Sequence, residues 1–168
     1  MRDAFPVSSI PSTRERFRRT GQQWIISSGA RIGNTAGWTI QTNDDLGLIA
    51  TCPASKAAAT LIIPVTGLKV GGIITAFSVV GQIESGGNTA TLDADLRKLT
   101  AAAADVVDAS VGSITQVSVT ADTIVSSPKT GISETIGADE TFYVLLTATT
   151  GASTDIALQG ITVTVTEN

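Results

Sequence analysis

An all-β chain, folded as an antiparallel β-sandwich of the jelly-roll type with an extended N-terminal arm, is what this sequence predicts. Three observations predict it. Ala90, Leu92, Ala94 and Leu96 alternate with Thr91, Asp93, Asp95 and Arg97, the period-two pattern of a strand with one buried and one wet face. Apolar runs of strand length recur along the chain, divided by turn residues such as Ser85-Gly-Gly-Asn88. Helix signals are confined to two short stretches, and no heptad or internal repeat is present. The 168 residues suffice for one domain with a proper core. Residues 24–168 are therefore read as a single sandwich domain and residues 1–23 as the arm.

In the arm, Pro6 and Pro11 interrupt regular structure. Ser12-Thr-Arg-Glu15 fits a capping box, and the helix it opens runs about two turns before Gly21 stops it. So short a helix is marginal alone and orders by docking, for which Phe5, Val7, Ile10 and Phe17 are apolar anchors. A frayed, solvated terminus is the alternative. Trp24-Ile-Ile is the first strand. Gly37-Trp-Thr-Ile-Gln41 is the next, with Trp38 and Ile40 on one face. Asn43-Asp-Asp is a turn, residues 46–51 a strand, and Cys52-Pro-Ala-Ser a loop. The strand that begins near residues 56–59 ends, or lies at an edge, at Pro64, which has no N–H to give a ladder.

Residues 70–83 are apolar at both parities, with Ile73, Phe77, Val79 and Ile83 on one and Ile74, Ala76 and Val80 on the other. That fits a strand whose outer face meets another subunit. Gly81 marks a bulge or bend. Residues 101–104 are four alanines, which favour a short helix, with a crossover loop as the competing reading. Residues 111–120 resume a strand pattern with Ile114 out of step. Residues 126–131 read as a loop around Pro128, and 132–136 as a short strand. A turn at Gly137-Ala-Asp-Glu140 leads into a strand whose Phe142, Val144, Leu146 and Ala148 share a face. The last strand changes parity at Gly160, the expected place for a bulge, and pairs antiparallel with its predecessor.

Charged residues make up only 15% of the chain, against roughly a quarter in an ordinary soluble domain. A surface so poor in charge is expected to be covered in part by copies of itself or by a larger partner. A Thr/Ser-rich β protein that solvates itself with hydroxyls is the alternative. Charge is also divided unevenly: residues 1–20 carry a net +3 and the remainder a net −7. The start of the chain has no apolar run like that of a secretory signal, and no segment approaches the length of a membrane span. Synthesis in the cytoplasm, with no membrane partner, is the expectation.

Residue chemistry argues against an enzyme. With no histidine, the commonest general base and metal ligand is missing. Lys56, Lys69, Lys98 and Lys129 form no serine-x-x-lysine motif, and no Gly-x-Ser-x-Gly elbow occurs. Asp93/Asp95 and Asp105/Asp108 read as solvated carboxylates, and Asn43-Asp44-Asp45 as a turn in place of a calcium loop. Val70-Gly-Gly-Ile lacks the lysine of a phosphate loop. Cys52, the only cysteine, sits among apolar residues as a packed side chain. No catalytic residue, cofactor or metal is expected.

Leu61-Ile-Ile-Pro, Gly67, Gly71-Gly-Ile-Ile, Val79-Val-Gly, Ala90-Thr-Leu and Leu96-Arg-Lys-Leu resemble the first half of small jelly-roll domains from tailed-phage virions. Glu140-Thr-Phe-Tyr-Val-Leu-Leu-Thr-Ala-Thr and Ile156-Ala-Leu-Gln-Gly-Ile-Thr-Val-Thr-Val-Thr resemble the second half. The resemblance covers residues 59–166 and contains no catalytic motif. It implies a virion structural role, as capsid decoration or cement protein, head fibre or tail appendage, commonly as a homotrimer. It implies nothing about the arm, which lies outside it.

Two readings follow. In the first, a capsid decoration protein cements the assembled major-capsid-protein lattice through its arm. Arg2, Arg14, Arg16, Arg18 and Arg19 would pair with carboxylates, and Phe5 and Phe17 would make apolar contacts. Nucleic acid is the less favoured partner for those arginines, because the body is acidic and aromatics are few. In the alternative, the chain is a carbohydrate-binding module of a fibre or tail appendage, with Trp24 or Trp38 exposed to stack on sugar rings.

Overall fold

Alternation along the sequence becomes strand after strand in the computed structural model, which describes residues 21–25, 31–32, 37–43 and 47–167. The strands are β1 (Gly21–Ile25), β2 (Arg31–Ile32), β3 (Thr39–Asn43), β4 (Gly47–Cys52), β5 (Ala59–Val65), β6 (Ile73–Glu84), β7 (Ala90–Ala101), β8 (Val106–Val119), β9 (Thr123–Thr135), β10 (Glu140–Thr149) and β11 (Asp155–Thr166). Residues 1–20, with the capping box at Ser12–Glu15 and the candidate contacts Arg2, Phe5, Arg14, Arg16, Phe17, Arg18 and Arg19, lie outside the described residues. So do Asp44 and Asp45 of the turn after Asn43.

Two antiparallel sheets face each other. One runs β3-β4-β11-β6-β9, with β1 also paired to β11; the other runs β2-β5-β10-β7-β8. From β4 onward the pairs β4/β11, β5/β10, β6/β9 and β7/β8 are those of one long antiparallel ribbon whose tip is the β7–β8 turn. Rolling that ribbon brings β11 against β6 and β10 against β7, which is the jelly roll. The core lies between the sheets, where Leu61, Ile63, Leu96, Val144 and Leu146 of one sheet meet Phe77, Val79, Ile83, Ile156, Leu158 and Ile161 of the other. Trp38, just before β3, joins this core and gives its indole N–H to the Ala59 carbonyl at 3.0 Å.

Three stretches differ from the sequence reading, each because tertiary pairing overrides a local signal. Residues 101–104 form neither helix nor crossover: β7 continues to Ala101, and Ala102 and Asp105 exchange backbone hydrogen bonds of 2.9 and 3.3 Å across a tight turn. Four alanines cannot offset the cost of helix nucleation against a hairpin this long. Residues 126–131 are not a loop but the middle of β9, which runs through Pro128. β9 pairs only with β6, so Pro128 sits on an edge strand, where a missing N–H costs no ladder bond.

The third correction concerns β6. Its apparent apolarity on both faces comes from an irregularity between Ile74 and Ala76 against β9, which shifts parity. Ile74, Phe77, Val79 and Ile83 are all buried, whereas Ile73, Ala76 and Val80 are half-buried. The outer face of β6 is therefore mixed, not a second apolar face for another subunit. The expected bulge at Gly160 is present: Leu158 pairs with Gly81 and Gly160 with Val80, leaving Gln159 unmatched. Gly81 lies against it so closely that a Cβ there would stand 2.6 Å from the Ala157 carbonyl oxygen. Two register shifts against β7 likewise explain why Ile114 falls out of step in β8 yet is buried.

Leu96 is fully buried in β7 between Leu92 and the second sheet. Leu96→Ala should lower the unfolding free energy by about 2–5 kcal/mol, the range for deleting a packed core leucine. Urea denaturation of the two proteins measures it, with an unchanged slope expected if the native surface is preserved.

Candidate functional site

The two parities of β7 and β10 lead to different places. Even-numbered residues from Leu92 to Leu96 and from Phe142 to Ala148 go to the core. Odd-numbered residues face outward from the β5-β10-β7-β8 sheet, and register sets them side by side. Arg97 pairs with Tyr143 of β10 and with Ser110 of β8; Asp95 pairs with Leu145; Tyr143 and Leu145 pair with Pro64 and Ile62 of β5.

Arg97 is the hub. Its Nε donates to Asp108 Oδ1 at 3.0 Å and to the Tyr143 hydroxyl at 3.1 Å, and one terminal nitrogen donates to Asp95 Oδ2 at 2.7 Å. The Tyr143 hydroxyl donates to Asp108 Oδ2 at 2.9 Å, and the Ser110 hydroxyl donates to Asp95 Oδ1. The hydrogen bonds from Arg97 hold the Asp108 carboxyl below its ordinary range. Those from Asp108 and Asp95 hold the guanidinium still more firmly protonated than usual. Partial burial, then the bond to Asp108, raise the Tyr143 phenol. Beside this polar strip, Leu99, Tyr143, Leu145, Ile62 and Pro64 are half-buried and give the same face an apolar border. A fixed set of donors and acceptors next to an apolar and aromatic surface suits a polyhydroxylated ligand, whose hydroxyls need directional partners and whose C–H faces need a platform.

A second ionic cluster points the other way, to one end of the sandwich. Lys98 Nζ, from β7, reaches Glu134 Oε1 of β9 at 2.6 Å and Glu140 Oε1 of β10 at 2.8 Å, so it ties the two sheets together. Glu140 Oε2 also accepts the Gly137 N–H at 2.8 Å. The bond from Lys98, and then that from Gly137, keep the Glu140 carboxyl below its ordinary range. Every carboxylate oxygen of Glu140 is engaged, and the cluster serves as a clasp.

The sequence-expected platform tryptophans are not brought to this face. Trp38 is a core residue, 2% exposed, and stacks on no external ring, which corrects the reading of it as a sugar platform. Trp24 lies opposite Thr162 in β1, and its side chain is outside the described ones. The aromatic at the outer face is Tyr143, the chain's single tyrosine, which the parity of β10 would have pointed out. Cys52 is fully buried, and burial pushes its thiol up to about 11, as a packed cysteine requires. Among the described residues, no three His, Cys, Asp or Glu side chains form a group able to hold a metal ion. No helix among them is long and apolar enough to cross a membrane.

No family model and no curated protein matches this sequence. Solved structures similar to it include the CBM22-1–GH10 modules of the Clostridium thermocellum endo-1,4-β-D-xylanase 10B, complexed with xylohexaose, at 13% identity and a TM-score of 0.49 over 78% of this chain and 25% of that one. A carbohydrate-binding module of the β-sandwich superfamily is similar at 16% identity and a TM-score of 0.47, over 82% of this chain and 56% of that one. The enzymatically active domain of tailspike protein 4 from bacteriophage CBA120 is similar at 15% identity and a TM-score of 0.43, over 83% of this chain and 20% of that one. In each case the chain spans less than two thirds of the other's length, and the likeness is one of fold.

The clasp makes a pH prediction. Glu140 is a stronger acid folded than unfolded, so the stability it contributes is complete above about pH 5 and is lost as pH falls through its folded value. Glu140→Gln should cost about 1–2 kcal/mol at neutral pH. It should also flatten the acid limb of a plot of melting temperature against pH, measured by calorimetry.

Proposed function

We propose that this chain is a non-enzymatic binding module, of the fibre or tail-appendage kind that its sequence resemblance implies, and that it binds a carbohydrate on the outer face of the β5-β10-β7-β8 sheet. The observation that carries the reading is the Arg97 network. Five side chains from three strands are held in one hydrogen-bonded array at the surface, where ion pairs contribute little to stability. Such an array is useful as a preorganised recognition surface, because the ordering cost is met before the ligand arrives. The reading rests on this face and not on the similar structures.

The face also selects its ligand by charge. Arg97 is outnumbered by Asp95 and Asp108, with Asp93 and Asp105 on the neighbouring strand positions, so acidic polysaccharides are repelled and neutral ones admitted.

A second reading, capsid decoration as a homotrimer on a major-capsid-protein lattice, is favoured by a different observation. At the β7–β8 tip, Val106 and Val107 are 59% and 53% exposed beside the exposed residues 101–104, an apolar patch open to a protein partner. Copy number on purified particles separates the two: a lattice-wide stoichiometry belongs to decoration, a few copies to an appendage.

Affinity electrophoresis and calorimetry against neutral and uronate-rich polysaccharides test the first reading. Neutral polymers should retard the protein and acidic ones should not. Tyr143→Ala and Arg97→Ala should each weaken binding tenfold or more, equivalent to at least about 1.4 kcal/mol, with melting temperature changed little. With no histidine in the chain and Asp108 held in its charged form, affinity should be flat from about pH 5 to about pH 8. Retention that survives both substitutions would place the ligand elsewhere.

A further inference from the structure

At the clasped end of the sandwich a cavity of about 220 Å³ opens between the sheets. Val65, Leu68, Val70, Ile136 and Phe142 line it, with Glu140 at its polar side. Val70 is 65% exposed there, one of the most exposed large apolar side chains among the described residues. The polar groups around it are arranged already: Gly71 and Ile136, and Ile136 and Gly72, are joined by backbone hydrogen bonds of 2.8 and 2.9 Å, so the mouth is a fixed feature. An apolar opening of this size needs an apolar occupant.

The chain itself delivers one to this end. β1 begins at Gly21, paired with Val165. Val165 and Ile136 meet at Gly72: a Cβ there would lie 3.0 Å from Val165 Cγ1 and 3.4 Å from Ile136 Cδ1. The arm therefore enters the sandwich beside the cavity wall. Phe17 precedes Gly21 by four residues, a span of at most about 14 Å. Charge agrees. Glu134, Asp139, Glu140 and Glu167 surround this end, against Lys69 and Lys98, leaving a net negative rim for an arm that carries Arg14, Arg16, Arg18 and Arg19. Tethering raises the effective concentration of the arm at the rim far above that of any separate molecule.

We propose that Phe17 of the same chain seats in this cavity, with the flanking arginines over the acidic rim, so that the arm is a strap across the end of its own sandwich. The seat competes with any role in which these residues reach across to another protein.

Trypsin reads the strap directly, since its cleavage sites are the arm's own arginines. In the full chain, cleavage after Arg16, Arg18 and Arg19 should be at least tenfold slower than in a synthetic peptide of residues 1–20. Phe17→Ala, which leaves the body untouched, and Val70→Asp, at an exposed position that folding does not need, should each raise the rate about tenfold while the melting temperature of the body stays nearly constant. Cleavage of the unaltered chain at the peptide's rate would overturn the proposal, as would protection indifferent to both substitutions. Protection that grows with protein concentration would overturn it too, because the arm would then be seated in a second copy.

Discussion

The antiparallel register between β7 and β10, from Thr100 against Glu140 to Thr91 against Thr149, is the constraint on which both the core and the binding face depend. Strand side chains alternate, so one register sends Leu92, Ala94, Leu96, Val144, Leu146 and Ala148 inward and at the same time sets Arg97 beside Tyr143 outside. A slip of one residue would exchange the two sets, burying Asp93, Asp95 and Arg97 in the place of leucine and alanine. Uncompensated carboxylates cost far more inside a protein than any gain on the surface could return. The apolar core thus fixes the outer array, and the array needs no stabilising role of its own to be held in place.

The same strands show how much of the molecule could be read from the sequence. β7 and β10 alternate without interruption, and their inward faces were legible residue by residue. The parity change at Gly160 was legible as well, because a glycine there coincides with a switch in the apolar pattern. β6, β8 and β9 were harder, since each contains an irregularity that shifts parity without a glycine to announce it, or a proline that only an edge strand tolerates. Such features depend on which strand lies alongside, and pairing partners far apart in sequence leave no local trace.

The binding face illustrates the same limit. Asp95 and Arg97 were placed correctly on the outer side of β7, yet nothing local joins them to Asp108, Ser110 or Tyr143. Those three come from β8 and β10, at sequence separations that only the rolled ribbon closes. Trp38 shows the opposite error. A tryptophan among turn residues looks like a surface platform, but its indole N–H finds the Ala59 carbonyl and its ring completes the core. Large aromatic area is worth more buried than displayed when its one polar atom has a partner inside.

Phe142 and Tyr143 bring the two ends of the argument together. They are consecutive in β10, so alternation sends them to opposite faces: Phe142 lines the cavity at the clasped end, and Tyr143 joins the Arg97 array outside. Lys98 and Arg97 repeat the arrangement in β7, one drawn to the carboxylates between the sheets and the other to those on the surface. Because a single sheet separates these neighbours, the end seat and the outer face can be occupied independently, with no side chain shared between them. A strap in the cavity leaves the recognition surface open, and a ligand on that surface leaves the clasp intact. The fold achieves this separation with nothing more than the period of a β-strand, which makes two adjacent residues serve two distinct sites.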